Sequence, residues 1–550
     1  MMTCPSKIRR YRTRLLPNRT KLLPLAGLLL SSALPPAHAA LTDNLLTSPT
    51  AMSLGNAVTA DPPGTDSIHF NPAGLTRITG EVHSHSFGAV SLRAPASFQQ
   101  GDNFSIGGFR DDPLNGTTTG PMHQRVYIPG VGLPGWRLPG VILPGLGLAY
   151  NKPGSPFTFG VGNYISQAMS SDRTKDPDDP GRFAGKVVHL QRLVFAAPAV
   201  GYKVSDTLSI GASVPLAHQA FILNTDMRMP NELLGIVGKV QEGWCPQNGG
   251  NIVDTFTFGL CGGGEEGRIN PFKKAASIDL NMTANVDPTI NIGLLWEPLD
   301  WFGLGVVYQG GSKTKVSGQY TFRAEPMLRR FVEGMHSSLL GPIAAGVLGM
   351  PQTIPEEQKG NVSATIPFPH RLQLGFKFKP TARLQFNVDA NYANWKSWDA
   401  LTFEFDQSIK LLEMARLFGV PDSTKLSIPR GYKNTLHFGY GLQAKVNEKL
   451  TLRFGYEPRK SSIPKDKLDL VAPLPDTKLY SIGANYKVNK EMDISVAASY
   501  MTGDYHVPAN GSCNMNCDKF FNIVYNPYAG LDVTGGLRVR YFGVTITKRF

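Results

Sequence analysis

Apolar and polar residues alternate with a period of two along most of the chain, most clearly in its C-terminal half. The stretches LQLGFKF at 372–378 and LQFNVDANY at 384–392 are examples. Because successive side chains of a β-strand point to opposite faces, each stretch predicts a strand with one apolar and one polar face. The pattern predicts fourteen strands, at residues 80–92, 139–151, 156–168, 187–203, 206–222, 275–296, 301–322, 363–379, 383–408, 431–446, 449–460, 476–488, 491–503 and 534–550.

The connections between these strands are alternately short and long. KVSDT at 203–207 and KVNEK at 445–449 are short, whereas residues 225–274, 323–362, 409–430 and 504–533 are long. Short turns on one side and long loops on the other are typical of outer-membrane barrels, and strands can cross lipid only when the barrel is closed. The predicted fold class is therefore an all-β transmembrane protein, a 14-stranded antiparallel outer-membrane β-barrel. A soluble β-sandwich would show the same alternation with its apolar face inward.

Aromatic residues lie near many predicted strand ends. We expect seven of them to contribute to the aromatic girdles that flank the apolar band of a barrel: Tyr202, Trp296, Trp301, Trp395, Trp398, Tyr500 and Tyr541. The alternative for each of them is a place in the protein interior.

The first 39 residues have the organisation of a secretory signal peptide. Seven basic residues and no acidic residue accompany an apolar run at 22–34, and Ala37-His38-Ala39 supplies a small-x-small cleavage pattern. We expect cleavage near Ala39 and Ala40. The alternative, an uncleaved anchor helix, is disfavoured because the run is short for a membrane span.

Composition and charge exclude several other classes of protein. Charged residues make up 18% of the 550 residues, which does not suit a disordered chain, and no long apolar run follows the leader. Of the formal net charge of +13, the leader supplies more than half. No basic cluster with interleaved aromatic residues follows it, so nucleic acid is not an expected partner.

The cysteines outside the leader form two close pairs. Cys245 and Cys261 lie in one Gly- and Asn-rich segment, and Cys513 and Cys517 lie in another. We interpret them as two local disulfides in an oxidising compartment. The alternative, a zinc site made from all four thiolates, is disfavoured by the C-x3-C spacing and the lack of a nearby histidine.

Residues 40–78 contain four prolines, lack sustained alternation and precede the first strand. A fourteen-stranded barrel encloses a lumen that a segment of this size can fill as a plug. The run AMSLGNA at 51–57, followed by FNPAGL at 70–75, resembles the plug signature of the FadL family of outer-membrane transporters for long-chain fatty acids and hydrophobic compounds (OMPP1/FadL/TodX type). Later stretches such as RGYKNTLHFGYGLQAKVNEKLTLRFGYEP, from residue 430, are similar as well.

This resemblance implies a division into a signal peptide at 1–39, a plug at 40–78 and a barrel at 79–550. It also implies passive uptake, in which extracellular loops capture the cargo, an internal pocket holds it and plug movement releases it. The plug motif comprises Gly55, Asn56, Ala57, Asn71, Pro72, Ala73, Gly74 and Leu75. The new N-terminus, at Ala40 and Leu41, is expected beside the pocket. The alternative for the second half of the motif is a plain turn into the first strand.

Apolar loop segments support an oily cargo independently. Residues 326–350 predict one or two short helices, and 229–240 and 410–420 are similar. The candidate substrate-binding residues of the first segment are Phe331, Leu339, Leu340, Ile343 and Leu348. Such faces either line a groove for hydrophobic ligands or pack on one another as a cap.

No cofactor, metal or catalytic activity is predicted, because the nucleophile-elbow, P-loop and zincin motifs are all missing from the sequence. The expected partners are a hydrophobic small molecule, outer-membrane lipids and the barrel-assembly machinery, which would read the terminal strand ending at Phe550. The alternatives are a structural or adhesive barrel and, with less support, an outer-membrane lipase. The predicted lumen faces are polar, so an apolar pocket has to be built locally, and Arg192, Lys377 or Arg453 would be available to a carboxylate.

Overall fold

The structure, a computed structural model, describes residues 47–247, 252–416, 420–517 and 526–550. The predicted leader and the first residues of the predicted plug, including Ala40 and Leu41, lie outside these ranges. No helix within them is long and apolar enough to cross a membrane.

Twenty-two strand segments make up the wall of the barrel. In chain order they are β1 (Gly80–Arg93), β2 (Ala96–Gln100), β3 (Val141–Asn151), β4 (Phe157–Asp172), β5 (Val187–Ala196), β6 (Ala199–Lys203), β7 (Leu208–Ser213), β8 (Leu216–Met227), β9 (Ala276–Pro288), β10 (Asn291–Leu299), β11 (Phe302–Gln309), β12 (Ser312–Ala324), β13 (Glu357–Phe368), β14 (Arg371–Thr381), β15 (Leu384–Ala393), β16 (Ala400–Phe405), β17 (Lys425–Pro429), β18 (Thr435–Lys445), β19 (Leu450–Arg459), β20 (Thr477–Lys487), β21 (Met492–Val507) and β22 (Leu531–Arg549).

These segments form fourteen antiparallel barrel strands, because sixteen of them join end to end in eight pairs. The pairs are β1/β2, β5/β6, β7/β8, β9/β10, β11/β12, β13/β14, β15/β16 and β17/β18. β22 pairs with β21 on one side and with β1 and β2 on the other, which closes the barrel. The predicted fold class is confirmed.

The short helices lie in the plug and in the long loops. They are α1 (Pro49–Ser53), α2 (Ser67–Phe70), α3 (Arg182–Gly185), α4 (Glu232–Trp244), α5 (Ile252–Phe256), α6 (Pro326–Ser337), α7 (Gly341–Val347) and α8 (Lys410–Glu413). Single 3-10 turns span Gly64–Asp66, Pro72–Arg77, Trp395–Ser397 and Lys465–Lys467. The Asn231 side chain caps α4 by accepting from the backbone N–H of Leu233 at 2.9 Å, and Pro326 opens α6.

Seven consecutive barrel strands are interrupted at a similar height. We call β6, β7, β10, β11, β14, β15 and β18 the proximal segments, because they lie toward the chain ends and the short turns, and β5, β8, β9, β12, β13, β16 and β17 the distal segments. Pro198, Pro215, Pro369 and the pair Gly310-Gly311 stand at four of the breaks. Proline lacks the N–H of a ladder bond and glycine permits a sharp bend, which explains the breaks.

The polarity of the wall reverses across the interruptions. In the proximal segment β14, Leu372 and Phe376 are exposed on the outside, while Gln373 and Lys377 are buried toward the lumen. In the distal segment β13, Val362, Ala364 and Ile366 are buried toward the lumen, and the residues between them face outward. An apolar exterior suits hydrocarbon and a polar exterior suits water, so the distal segments continue the barrel beyond the lipid.

Candidate functional site

The first part of the plug motif is a tight turn against the barrel wall. Gly55 and Asn56 both have a left-handed backbone, with φ of 60° and 57°. A β-carbon on Gly55 would lie 2.8 Å from the backbone nitrogen of a wall residue, so the position requires glycine. The Nδ2 group of Asn56 donates to Glu457 at 2.9 Å, and the Ala57 carbonyl accepts from Asn387 at 2.7 Å. The turn is thereby tied to β19 and β15.

Asn71 joins the second part of the motif to the wall. It is fully buried, and its Nδ2 group donates to the carbonyls of Thr59, 2.8 Å away in the plug, and of Leu294, 3.1 Å away in β10. Its Oδ1 accepts from the backbone N–H of Ala73 at 3.2 Å, which caps the turn that Pro72 opens. One side chain thus shapes the plug and attaches it.

The remaining motif residues fill the space behind this cap. Ala73 and Leu75 are fully buried. A β-carbon on Gly74 would lie 2.3 Å from Cγ of Pro62, so this position also lacks room for a side chain. The motif therefore packs densely within the plug as well as against the barrel.

An ion network joins the plug to the proximal end of the wall. Arg77 binds Asp61 at 2.9 Å and Glu297 of β10 at 2.7 Å, and Gln385 donates to Asp61 at 2.6 Å. Lys377 of β14 also contacts Glu297. Burial opposes ionisation of Asp61, but the charges of Arg77 and Lys377 outweigh it and hold the pKa of Asp61 below its ordinary value.

Two plug residues have pKa values set mainly by burial. Asp66 accepts a hydrogen bond from the Ser48 hydroxyl and lines a small polar cavity of about 20 Å³ between the plug and the wall. Burial raises the pKa of Asp66 to about 6 and lowers the pKa of His69, in the same cavity, to about 3. His69 is neutral at physiological pH, whereas Asp66 changes its charge just below neutrality.

Glycines in the wall allow the plug to approach the strands closely. At many of them a β-carbon would lie less than 3.0 Å from a plug atom: Gly147, Gly211, Gly293, Gly305, Gly439, Gly441, Gly455, Gly483 and, beside Thr59, Gly375. The sequence analysis did not predict these contacts. The feature of the sequence that could have indicated them is that Gly375, Gly439 and Gly441 fall on the polar, lumen-facing side of the alternating pattern.

Above the plug, the distal segments and the loop helices enclose an apolar cavity of about 170 Å³, the distal cavity. The wall contributes Leu223, Ile278, Leu280, Phe322, Phe403 and Leu426. The loops contribute Leu233, Leu234, Val237, Phe331, Leu411 and Leu412. The loop helices and the wall therefore bury their apolar faces against one space.

Two smaller cavities adjoin the distal cavity. The middle cavity, of about 70 Å³, shares Leu223, Phe403 and Ile428 with the distal cavity. The lateral cavity, of about 80 Å³, shares Met169, Val471 and Leu474 with the middle cavity and reaches β1, β3 and β22. The three form a series from the loop helices to the wall on the N-terminal side.

The predicted loop residues divide into two groups. Phe331 and Leu348 line the distal cavity. Leu339 and Ile343 are 80% and 65% exposed at the loop surface, and Leu340 is half-buried outside the cavity lining. The wall residues of the cavity are missing from the sequence prediction, which placed polar residues along the whole lumen. Ala40 and Leu41 lie outside the described residues.

The cysteines and the chain end lie apart from the cavities. A disulfide joins Cys245 to Cys261 across the loop that carries α4 and α5. Cys513 is half-buried and Cys517 buried in one turn, and their pairing stays a prediction. Phe550 donates its backbone N–H to the Glu81 carbonyl at 2.9 Å and leaves its ring exposed.

The three basic residues considered for a carboxylate are already engaged. Arg192 binds Asp287 at 3.0 Å, Lys377 belongs to the plug network, and Arg453 donates to Gln443 at 2.9 Å. None of the three lines the distal, middle or lateral cavity as the described residues define them.

Comparison with known proteins agrees with this architecture. Residues 28–550 match the model of a family described as outer membrane protein transport protein (OMPP1/FadL/TodX). No curated protein matches the sequence. A Pseudomonas aeruginosa FadL homologue is a similar solved structure, with 19% identity, 94% of this chain and 100% of that chain covered, and a TM-score of 0.62.

Two further solved structures are similar in fold. The Pseudomonas putida toluene transporter TodX has 15% identity, 94% and 100% coverage and a TM-score of 0.58. The Ralstonia pickettii toluene transporter TbuX has 17% identity, 92% and 98% coverage and a TM-score of 0.55. At these identities the likeness establishes the fold alone.

Proposed function

Because the chain belongs to the outer membrane protein transport protein family (OMPP1/FadL/TodX), we propose that it takes up hydrophobic small molecules across the bacterial outer membrane. Long-chain fatty acids and aromatic hydrocarbons are the candidate cargoes. Uptake is passive and needs no cofactor. The loops capture the cargo, the cavities above the plug hold it, and rearrangement of the plug releases it.

One observation carries this proposal, the position of the apolar cavities. Their walls are made by strand segments that turn apolar side chains inward, and they lie above a plug seated in a polar lumen. Apolar pockets of this kind favour ligands that leave water readily. A polar solute gains nothing from such walls and would lose its hydration on entry.

The plug supplies the second element of the mechanism. Asn56, Asn71 and Arg77 hold it to the wall by hydrogen bonds and ion pairs, each of which is individually modest. A closure made from several such contacts can rearrange without unfolding the barrel. The proposed sequence of events is therefore cargo in the cavities, loosening of the plug contacts and passage along the wall.

Two steps of maturation belong to the same proposal. We propose that the leader is cleaved near Ala39 and Ala40, so that the new terminus begins the plug. We also propose that the barrel-assembly machinery recognises the terminal strand β22 and Phe550 before insertion among the outer-membrane lipids.

Uptake by intact cells tests the proposal. A strain that lacks the protein should accumulate labelled oleate or labelled toluene more slowly than the parent, and a plasmid copy should restore the rate. Uptake of a small sugar is the control, because other porins carry it. Equal uptake of a broad panel of hydrophobic compounds by both strains would contradict the proposal.

A further inference from the structure

Each of the three apolar cavities is lined by a neutral polar side chain that is buried and has at least one donor or acceptor left for a ligand. Asn526 lines the distal cavity, is 3% exposed, and neither its amide nitrogen nor its oxygen is paired. Trp395 lines the middle cavity with its indole N–H unpaired, and His189 lines the lateral cavity beside Gln191, whose side chain is its hydrogen-bond partner. A buried polar group without a hydrogen bond is unfavourable, so two of them on one route, followed by a histidine with a single partner, call for an explanation.

The charged side chains that line the cavities, by contrast, all have partners of opposite charge. Within the described residues these are Asp226, Arg228, Arg430, Arg125 and Arg173. Arg228 holds Asp112 through two bonds of 2.8 and 2.9 Å, and Asp226 binds Lys186 at 2.7 Å. Each remaining arginine also has an aspartate partner. The lining therefore offers hydrogen bonds but no uncompensated cation.

A lining with available neutral hydrogen-bonding groups and fully paired charges favours one kind of polar group on the cargo. A carboxylate brings a charge that needs an unpaired cation or several donors in an apolar space. A plain hydrocarbon leaves the buried amide of Asn526 and the indole N–H of Trp395 unsatisfied. A hydroxyl is neutral, donates one hydrogen bond and accepts others, which matches what Asn526, Trp395 and His189 can offer.

We propose, on the premise of the proposed uptake, that the cavities select hydrophobic compounds with one neutral hydroxyl over the matching hydrocarbon and the matching carboxylate. The hydroxyl donates to Oδ1 of Asn526 and accepts from its Nδ2. Farther along, the indole N–H of Trp395 donates to the hydroxyl oxygen, and His189 pairs with the hydroxyl through the ring nitrogen that Gln191 leaves available. As the ligand moves from one cavity to the next, its hydroxyl exchanges one hydrogen-bond partner for another. The size is suitable, since an apolar cavity of about 150 Å³ holds benzene and the distal cavity measures about 170 Å³.

Three ligands with the same ring and methyl group test the ranking on the purified full-length protein in detergent. They are toluene, 4-methylphenol and 4-methylbenzoate, titrated at pH 7.5 so that the phenol is neutral and the acid is charged. We expect 4-methylphenol to bind about tenfold more tightly than either of the others, as one additional hydrogen bond would give. This comparison needs no variant.

Asn526→Leu then assigns the effect to a residue. The variant should bind 4-methylphenol about tenfold more weakly and toluene as well as before or better. Asn281→Leu is the matched control, because Asn281 is exposed on β9 beside Leu280, a residue of the distal cavity wall. Trp395→Phe provides a second variant that keeps a smaller aromatic ring in place and removes the N–H. Heat-modifiable migration on a gel verifies that each barrel is folded.

The outcomes separate the two proposals. Tightest binding of toluene or 4-methylbenzoate by the unmodified protein would overturn the selection and leave uptake standing. Equal weakening of all three ligands by Asn526→Leu would also overturn it, and so would equal binding of all three, as expected if water satisfies the amide. Binding of none of them, together with unchanged cellular uptake of oleate and toluene, would count against the proposed function itself.

Discussion

The proximal segment β14 and the distal segment β13 belong to one barrel strand and yet bury opposite kinds of side chain. Toward the plug, the strand turns Gln373 and Lys377 inward; toward the loops, it turns Val362 and Ile366 inward. The difference follows the surroundings of the outer face, which are lipid in one half and water in the other. Beyond the lipid, the strand is free to give its apolar face to the lumen. The height of the membrane thereby determines where an oily cargo can rest.

The largest effect is expected when the apolar character of the distal lumen is broken. Leu280→Asp places a carboxylate in the distal cavity, where Leu280 is 2% exposed. A buried unpaired charge costs several kcal/mol, so cargo binding should fall at least tenfold or the distal segments should fail to pack. Uptake of labelled cargo and heat-modifiable gel migration measure the two results.

Asn281→Asp is the control for that change, because Asn281 is the next residue along β9 and is exposed. It should leave uptake and folding close to those of the unmodified protein. An equal loss of uptake in Leu280→Asp and Asn281→Asp would mean that the lumen-facing and outward-facing sides of β9 do not differ in polarity as described.

The next effect concerns the close contact of the plug with the proximal lumen. In Gly455→Ala the new β-carbon would lie 2.1 Å from the backbone nitrogen of Gly55, so the plug has to shift. We expect a leaky barrel whose conductance in planar bilayers exceeds that of the unmodified protein severalfold.

Gly88→Ala is the matched change, since the three atoms nearest to its β-carbon belong to the Tyr541 side chain, the first of them 3.0 Å away, and not to the plug. Its conductance should stay low. If the conductance of Gly455→Ala is equally low, the glycines of the wall do not determine how closely the plug fits the barrel.

A smaller effect is expected from Asn71→Ala. The change removes donors to Thr59 and Leu294 and the cap on Ala73, and each lost bond weakens plug attachment by about 1 kcal/mol. Barrel assembly should be normal, whereas uptake of labelled cargo should fall severalfold because the plug no longer moves as a unit. Unchanged uptake would reduce the motif to a structural turn.

The smallest effect depends on pH and isolates Asp66. Its pKa, raised to about 6 in the folded plug, means that the neutral carboxyl is favoured by folding. The stability it contributes is fully present below its ordinary pKa of 3.8 and is lost as pH rises from there to about 6. His69 acts in the opposite sense, because its lowered pKa makes the folded plug less stable as pH falls below about 6.5.

Asp66→Asn separates the two groups. At pH 8 the variant plug should exchange its amide hydrogens more slowly than the unmodified plug, and at pH 3, below the ordinary pKa of Asp66, the two should be similar. Hydrogen exchange of peptides from residues 47–78 measures this difference. A variant that exchanges faster at pH 8 would contradict the assigned sign.

The alternation of apolar and polar residues was sufficient to predict the strands of the barrel wall. Alternation is a local property of a strand, so it located every barrel strand, including 372–378 and 384–392, without knowledge of its neighbours. It did not locate the distal cavity, because the breaks at Pro198, Pro215 and Pro369 end one alternation and begin another. Reading across each proline as one continuous strand assigned a polar lumen to the whole length of the barrel.

Individual aromatic and loop residues were harder to place. Trp395, Trp398 and Tyr541 were expected at the membrane interface. Trp395 and Trp398 are instead buried in the lining of the middle cavity, and Tyr541 is also buried. Trp296 and Trp301, by contrast, are exposed on the outside of the wall. Nothing in their local sequence distinguishes the pairs. Likewise Phe331 and Leu339 have similar hydrophobicity, and only the packing of α6 on the distal segments separates a cavity residue from a surface one.

The interruptions also make the barrel divisible for protein engineering. A chimaera joined at Pro198, Pro215, Pro369 and Gly310-Gly311 would exchange cargo-facing residues while leaving the lipid belt and the stopper of its host intact. Grafts of that kind offer a practical way to retune what a bacterium can import.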